Sequence, residues 1–335
     1  MEKKLFGTLN DKQIYSYSLQ NGKIFARILS YGAILNAFGF DDGENKNLIG
    51  SFDTVEDYIL DDSYQGAIIG RVANRIENAT FTIDGVKYDL PKNNGNHCHH
   101  GGFGFNSKIW DVTECSDTHI TLSYYSADGE SGFPGGLKVT VSYILSDSAL
   151  IMDYTAYPEK KTPISLTNHA YFNLDGVGGD IYSHKIAIYA DKYSEIAENL
   201  IPTGKQLDVE GTVFDMRESI LLGDVLENGF YGYDHNFCLS PMSYDYFIGE
   251  KLGLAARVSS NSNCLSVYTN TPGIQLYTAN ALAGVPDFAG GIKKLNHGAF
   301  CLEAQIEPNS VNRGIGIYDA GETYRQTTVY KLTKI

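Results

Sequence analysis

The feature that most constrains what this 335-residue chain can fold into is the alternation of apolar and polar residues with period two. In LKVTVSYIL, Leu137, Val139, Val141, Tyr143 and Leu145 alternate with Lys138, Thr140 and Ser142, a strand with one face in a core. TFTIDGVKYDL reads as two short strands joined by Asp84-Gly85, a pair suited to a two-residue hairpin turn. HITLSYYSADG and SVYTNTPGIQLYTAN continue the pattern, the latter turning at Pro272-Gly273. Helical patterning is confined to TVEDYIL (54–60) and SYDYFIGEKL (243–252). No repeat, low-complexity tract or linker-like run divides the chain. The expectation is an all-β protein: one domain over 1–335, a large antiparallel β-sandwich with a few short helices.

Charge narrows the partners. The formal net charge of −14 disfavours nucleic acid and anionic membranes. No apolar run approaches the roughly 18 residues that span a bilayer. The N-terminal MEKKLFGTLNDKQ lacks the apolar core of a secretory signal. Cys98, Cys115, Cys238, Cys264 and Cys301 are odd in number and scattered, with no CxxC, and read as reduced thiols of a cytoplasmic protein.

Several stretches carry groups capable of chemistry. In SLTNHAYFNL (165–174), Leu166, Ala170, Phe172 and Leu174 fall on one face, with Asn168 the polar exception. Ser165, Thr167, His169, Tyr171 and Asn173 fall on the other. In AFCLEAQIEPN, Phe300, Leu302, Ala304 and Ile306 oppose Cys301, Glu303, Gln305 and Glu307. A solvated outer face and the wall of a cleft give the same alternation, so the pattern alone does not choose between them. NNGNHCHHGG (93–102) is the densest histidine cluster; imidazole and thiolate are zinc ligands, but no second His/Cys pair at ligand spacing accompanies it. Its Gly101-Gly102 would let backbone approach a ligand closely. GRVANRI places Arg71 and Arg75 in apolar surroundings, suited to holding several oxygens or to a structural salt bridge. YDHNF sets Asp234 and His235 beside aromatics, a mixture that suits a sugar site.

Taken in order, these stretches resemble the aldose 1-epimerase (galactose mutarotase) family. The matching pieces are FDTVEDY near 52, GRVANRI at 70, HHGG at 99, FGFNSKIW at 103 and DGESGFPGGLKVTVSY at 128. LTNHAYFNL at 166, IPTGKQLDVEGTVFDMR at 201, YDHNF at 233, GIQLYTAN at 273 and LEAQ at 302 complete the series. Ten pieces in the right order and spacing cover nearly the whole chain. The resemblance implies a large antiparallel β-sandwich with an open cleft. It also implies interconversion of the α and β anomers of a free aldohexose such as glucose or galactose, without metal or cofactor. Residue by residue, His169 takes the place of the general acid and Glu303 that of the general base. Asn74, Arg75, His100, Asp234 and Gln275 take the places of substrate-binding groups, and His97 or His99 is an alternative to His100 in that role.

The chain departs from the family's Pro-Asp-x-x-Asn segment in EPNSVN (307–312), which bears on the cleft rim. Rival functions are a hexose-6-phosphate 1-epimerase, which calls for a cationic patch beyond Arg71 and Arg75, a non-catalytic carbohydrate-binding protein, and a glycoside hydrolase using Asp234 and Glu303. The expected partner is a small sugar, and the expected assembly a monomer or homodimer.

Overall fold

A computed structural model describes residues 1–335. Its largest element is a ten-stranded antiparallel sheet. From one edge it runs Asp111–Cys115, His119–Ser126, Leu137–Ser146, Ala149–Pro158, Tyr324–Lys334, Asn263–Thr269, Glu250–Ser259, Lys185–Ile188 and Ile220–Leu221, with Tyr244–Phe247 paired to Glu250–Ser259. A five-stranded sheet, in the order Pro202–Asp208, Ala190–Ile196, Asp234–Leu239, Gly273–Tyr277 and Cys301–Gln305, packs on it. An N-terminal four-stranded meander over Glu2–Leu9, Lys12–Gln20, Ile24–Leu29 and Leu35–Phe40 completes the layers.

One core joins these layers. Val139, Val141 and Tyr143 from the large sheet meet Leu19, Ile24 and Phe38 from the meander, and Ile274, Leu276 and Leu302 from the five-stranded sheet, in a single apolar cluster. The period-two reading of 137–145 is therefore realised residue by residue: its odd-numbered positions are all buried. The Asp84-Gly85 hairpin also forms, between Thr80–Ile83 and Val86–Asp89. TVEDYIL forms the helix Val55–Leu60, capped by the Thr54 side chain, which accepts from the Asp57 amide.

Two local readings are corrected. SYDYFIGEKL is not helical but a hairpin of Tyr244–Phe247 and the start of Glu250–Ser259. Ile248 and Gly249 both take positive φ at the turn, and the aromatic alternation of YDYF fits an edge strand better than a helix. The turn at Pro272-Gly273 joins no hairpin; it carries the chain from the ten-stranded to the five-stranded sheet. The only other α-helix, Leu222–Leu226, had no pattern to announce it.

On the five-stranded sheet, side-chain alternation separates core from cleft. Ile274, Leu276, Leu302 and Ala304 face inward, so Gln275 and Glu303 must face out. The segment 165–174 closes the other side. Only Thr167–Asn168 is regular strand, paired with Ile68–Ile69, but Phe172 and Phe300 exchange both backbone hydrogen bonds. Continuing that antiparallel register for three residues on each strand sets His169 against Glu303. Leu166, Phe172, Phe300 and Leu302 all enter the core.

Candidate active site

The polar faces of these two segments open into a cavity of about 510 Å³ lined by Arg75, His169, Asp234 and Glu303, with Tyr64, His99, Tyr231 and Tyr277 among its aromatic walls. Nε2 of His169 lies 3.6 Å from Oε1 of Glu303, and both side chains are buried. A larger hollow of about 820 Å³ beside the N-terminal strands includes Glu2, Arg27 and Asp117 but no converging acid–base pair.

Backbone geometry fixes His169. Its amide donates to Ala67 O at 3.0 Å, and its carbonyl accepts from Gly66 N at 2.9 Å. Gly66 has φ +67°, and a Cβ there would sit 2.2 Å from Leu35 O, so only glycine fits this close approach. The rings of Tyr171 and His169 stack at 5.0 Å between centroids, and that of His100 stands edge-on at 5.1 Å.

The opposite wall is a hydrogen-bonded relay. Gln275 Nε2 donates to Asp234 Oδ1 at 2.6 Å, and Arg75 Nη1 approaches Asp234 Oδ2 at 3.4 Å. Arg75 Nε donates to Asn94 Oδ1 at 3.2 Å. Asn74 and His100 both take left-handed φ, +60° and +52°. They lock each other there: the Asn74 amide donates to His100 Nδ1 at 3.2 Å, and the His100 amide to Asn74 O at 3.0 Å. Asn74 Oδ1 also accepts from the Arg75 amide at 2.7 Å, which explains asparagine at a position where most side chains are strained.

The seven candidates thus converge, but in two layers. Arg75, His169, Asp234 and Glu303 line the cavity directly. Asn74, His100 and Gln275 are buried behind it and hold its wall. Of the alternatives to His100, His99 lines the cavity, whereas His97 accepts the Asn78 amide through Nδ1 and lies elsewhere. Two further expectations are corrected. Gly101 serves chain packing, not ligand approach: a Cβ there would lie 2.1 Å from Gly70 O. Arg71 is buried against Ser126, Ala127, Pro134 and Thr162, and donates only to neutral oxygens. The EPNSVN segment turns out to brace Arg75, whose carbonyl accepts from the Asn309 amide at 2.9 Å. Tyr64 and Asn94 are wall residues that no local pattern singled out, although Asn94 lies in the histidine-rich stretch 93–102.

Electrostatics separate the two central groups. Burial, aided by the Asp234 charge, raises Glu303 to about 8. Burial lowers His169 to about 4, outweighing the opposing pull of its own backbone carbonyl and of Asp234. A neighbouring carboxylate favours imidazolium, but desolvation outweighs it here. Between these limits the pair holds one proton. His100, His169 and Glu303 each offer a ligand atom within 4.8 Å of the others, a spacing a metal could use. The Asn74 amide donating to His100 Nδ1 leaves the proton on His100 Nε2, however, so that nitrogen is a donor and does not suit a cation.

An all-β frame that encloses one acid–base pair, a carboxylate–arginine–amide relay and aromatic walls defines a sugar-binding isomerase site. Residues 15–331 match the family described as Aldose 1-epimerase, and the chain belongs to that family. It is 39% identical to galactose mutarotase of Rattus norvegicus over 330 residues, covering 96% of this chain and 94% of the relative. Among solved structures, galactose 1-epimerase from Lactobacillus acidophilus superposes with a TM-score of 0.86 at 27% identity, covering 99% of this chain and 98% of the other. The aldose epimerase homologue from C. elegans does so with 0.85 at 28% identity, covering 96% and 99%.

Proposed function

We propose that this protein interconverts the α and β anomers of free aldohexoses such as glucose and galactose, with His169 as general acid and Glu303 as general base. The observation that carries this reading is the 3.6 Å approach of His169 Nε2 to Glu303 Oε1 inside one cavity. The two oxygens that must exchange protons, the ring oxygen and the C1 hydroxyl, share one carbon, so a single pair can serve both.

In the forward step Glu303 takes the C1 hydroxyl proton and His169 gives a proton to the ring oxygen. The bond between C1 and the ring oxygen breaks, and a C1 carbonyl forms. Rotation about C1–C2 presents the other carbonyl face. On closure His169 recovers its proton from the ring-derived hydroxyl, and Glu303 returns one to the C1 oxygen. No proton is lost or gained over the cycle. It needs one proton shared by the pair, the same count that burial maintains between about pH 4 and 8. Arg75 and Asp234 are assigned to the sugar hydroxyls directly, with Asn74, His100 and Gln275 fixing their placement.

Among the alternatives, a phosphorylated hexose fits poorly. Arg75 is the one arginine or lysine in the cavity lining, set against Asp62, Asp234 and Glu303. A passive binding protein leaves the buried His169–Glu303 pair without a purpose. We assign the whole chain to one catalytic unit, acting in the cytoplasm as a monomer or homodimer; five unpaired cysteines suit a reducing compartment. The test is polarimetric. Freshly dissolved α-D-glucose or α-D-galactose should reach equilibrium rotation faster with the protein, and EDTA should leave the rate unchanged. Rates equal to the uncatalysed control across a panel of free aldoses would overturn the reading.

A further inference from the structure

The catalytic assignment leaves one nitrogen of His169 unexplained. Nε2 faces Glu303, while Nδ1 has a single hydrogen-bond partner, the Sγ of Cys301 at 3.6 Å. Cys301 is fully buried and precedes Glu303 by two residues on the strand Cys301–Gln305, so both side chains project from the same face. One strand therefore grips the imidazole at both ends. The carbonyl of His169, which also favours the charged ring, takes the Gly66 amide.

We propose that Cys301 is the positioning residue for His169: its sulfur accepts the Nδ1 hydrogen, fixes the tautomer with Nε2 bare, and so leaves Nε2 to take the pair's proton from Glu303 and pass it to the sugar ring oxygen. This rests on His169 being the acid of the anomer interchange. A neutral imidazole has one donor and one acceptor nitrogen, and the partner of one decides the role of the other. Burial raises the Cys301 thiol well above its usual range, so the sulfur stays uncharged and serves as a weak acceptor for the Nδ1 hydrogen. When Nε2 gains its proton and His169 becomes imidazolium, the Nδ1 hydrogen stays on the same sulfur. It thus accompanies both protonation states of the cycle.

A carboxylate at Nδ1 would behave differently, holding the imidazolium and weakening it as an acid. The thiol carries no charge, so the imidazolium remains ready to give its proton to a weakly basic ether oxygen. Tyr171 supports the arrangement from a second side, with its ring stacked on His169.

Two measurements test this. Nitrogen-15 long-range correlation spectra of the unliganded wild-type protein near neutral pH, assigned with His169→Asn, should show His169 with a protonated Nδ1 and a bare Nε2. The Nε2–H tautomer would overturn the proposal, and this readout does not depend on any sugar being turned over. In polarimetry, Cys301→Val should lower kcat about tenfold or more with KM within about twofold, and Cys301→Ser should recover most of the loss. A Val variant within about twofold of wild-type kcat would overturn the proposal. So would a Ser variant that melts with the wild type yet is no better than Val. Should the Val variant fail to fold, the wild-type spectrum and the Ser variant still decide the question. Loss of the parent assignment would appear separately, as full turnover in His169→Asn.

Discussion

Nε2 of His169 and Oε1 of Glu303 stand 3.6 Å apart in a buried setting that pushes their proton affinities in opposite directions. Burial raises Glu303 to about 8 and lowers His169 to about 4. The pair carries two protons below the lower value, one between them and none above the higher. Catalysis needs the single-proton state, so kcat/KM should be bell-shaped, with a plateau between about pH 4 and pH 8. It should fall on the alkaline side as the last proton leaves, and on the acid side as a second one binds. Polarimetry across a buffer series checks this; activity still rising well above pH 9 would contradict the assignment.

Removing either member should be far worse than shifting its titration. Glu303→Gln keeps the shape of the side chain but cannot accept the C1 proton. The expected loss in kcat is at least about a hundredfold with little change in KM, and His169→Asn should behave alike. The other glutamate on the same polar face, Glu307, lies past the end of the strand Cys301–Gln305, pairs with Arg313 and does not line the cavity. Full turnover in Glu303→Gln would therefore leave the mechanism without a base.

How far the sequence could be read depended on whether the signal was local. Alternation over 137–145 and the Asp84-Gly85 turn are properties of short stretches, and both appear as read. The cleft walls were legible only through the ordered series of motifs, because alternation at 301–307 fits an exposed face equally well. The layering of the site was not legible. Nothing in GRVANRI distinguishes Arg75, which faces the cavity, from Arg71, which faces a shell of carbonyls, since both are buried arginines in apolar surroundings. The left-handed pairing of Asn74 with His100 arises from contacts between distant segments, and the role of Gly101 depends on where Gly70 comes to rest. Those are tertiary facts, set by packing that no window of sequence contains.

Asp234 does two things at once, and a substitution should separate them. Its carboxylate accepts from Gln275, pairs with Arg75 and raises Glu303 through its charge. Asp234→Asn should raise KM about tenfold or more by weakening charge-assisted contacts to the sugar. It should also move the alkaline limb of the pH profile to lower pH, because a neutral amide no longer opposes ionisation of Glu303. A KM effect with an unmoved alkaline limb would show that the limb does not report Glu303.

Arg71 offers a stability test that should leave chemistry alone. Its guanidinium is lowered by burial to about 10 and so still carries its charge at neutral pH. It donates to the carbonyls of Ser126, Ala127 and Pro134 at 3.1, 3.0 and 2.9 Å, and to Ser126 Oγ. These bonds tie the GRVANRI segment to the loop that follows His119–Ser126. Arg71→Met fills much of the same space but removes a donor from the Ser126 and Pro134 carbonyls, each costing about 1–3 kcal/mol, while Ala127 O keeps the Glu130 amide. The expected loss in unfolding free energy is at least about 2 kcal/mol, read by urea denaturation at neutral pH. Below its unfolding transition the variant should keep kcat within about twofold of wild type, because Arg71 touches none of the cavity residues through its side chain. A loss of turnover in protein shown to be folded would instead place Arg71 among the groups that shape the sugar site.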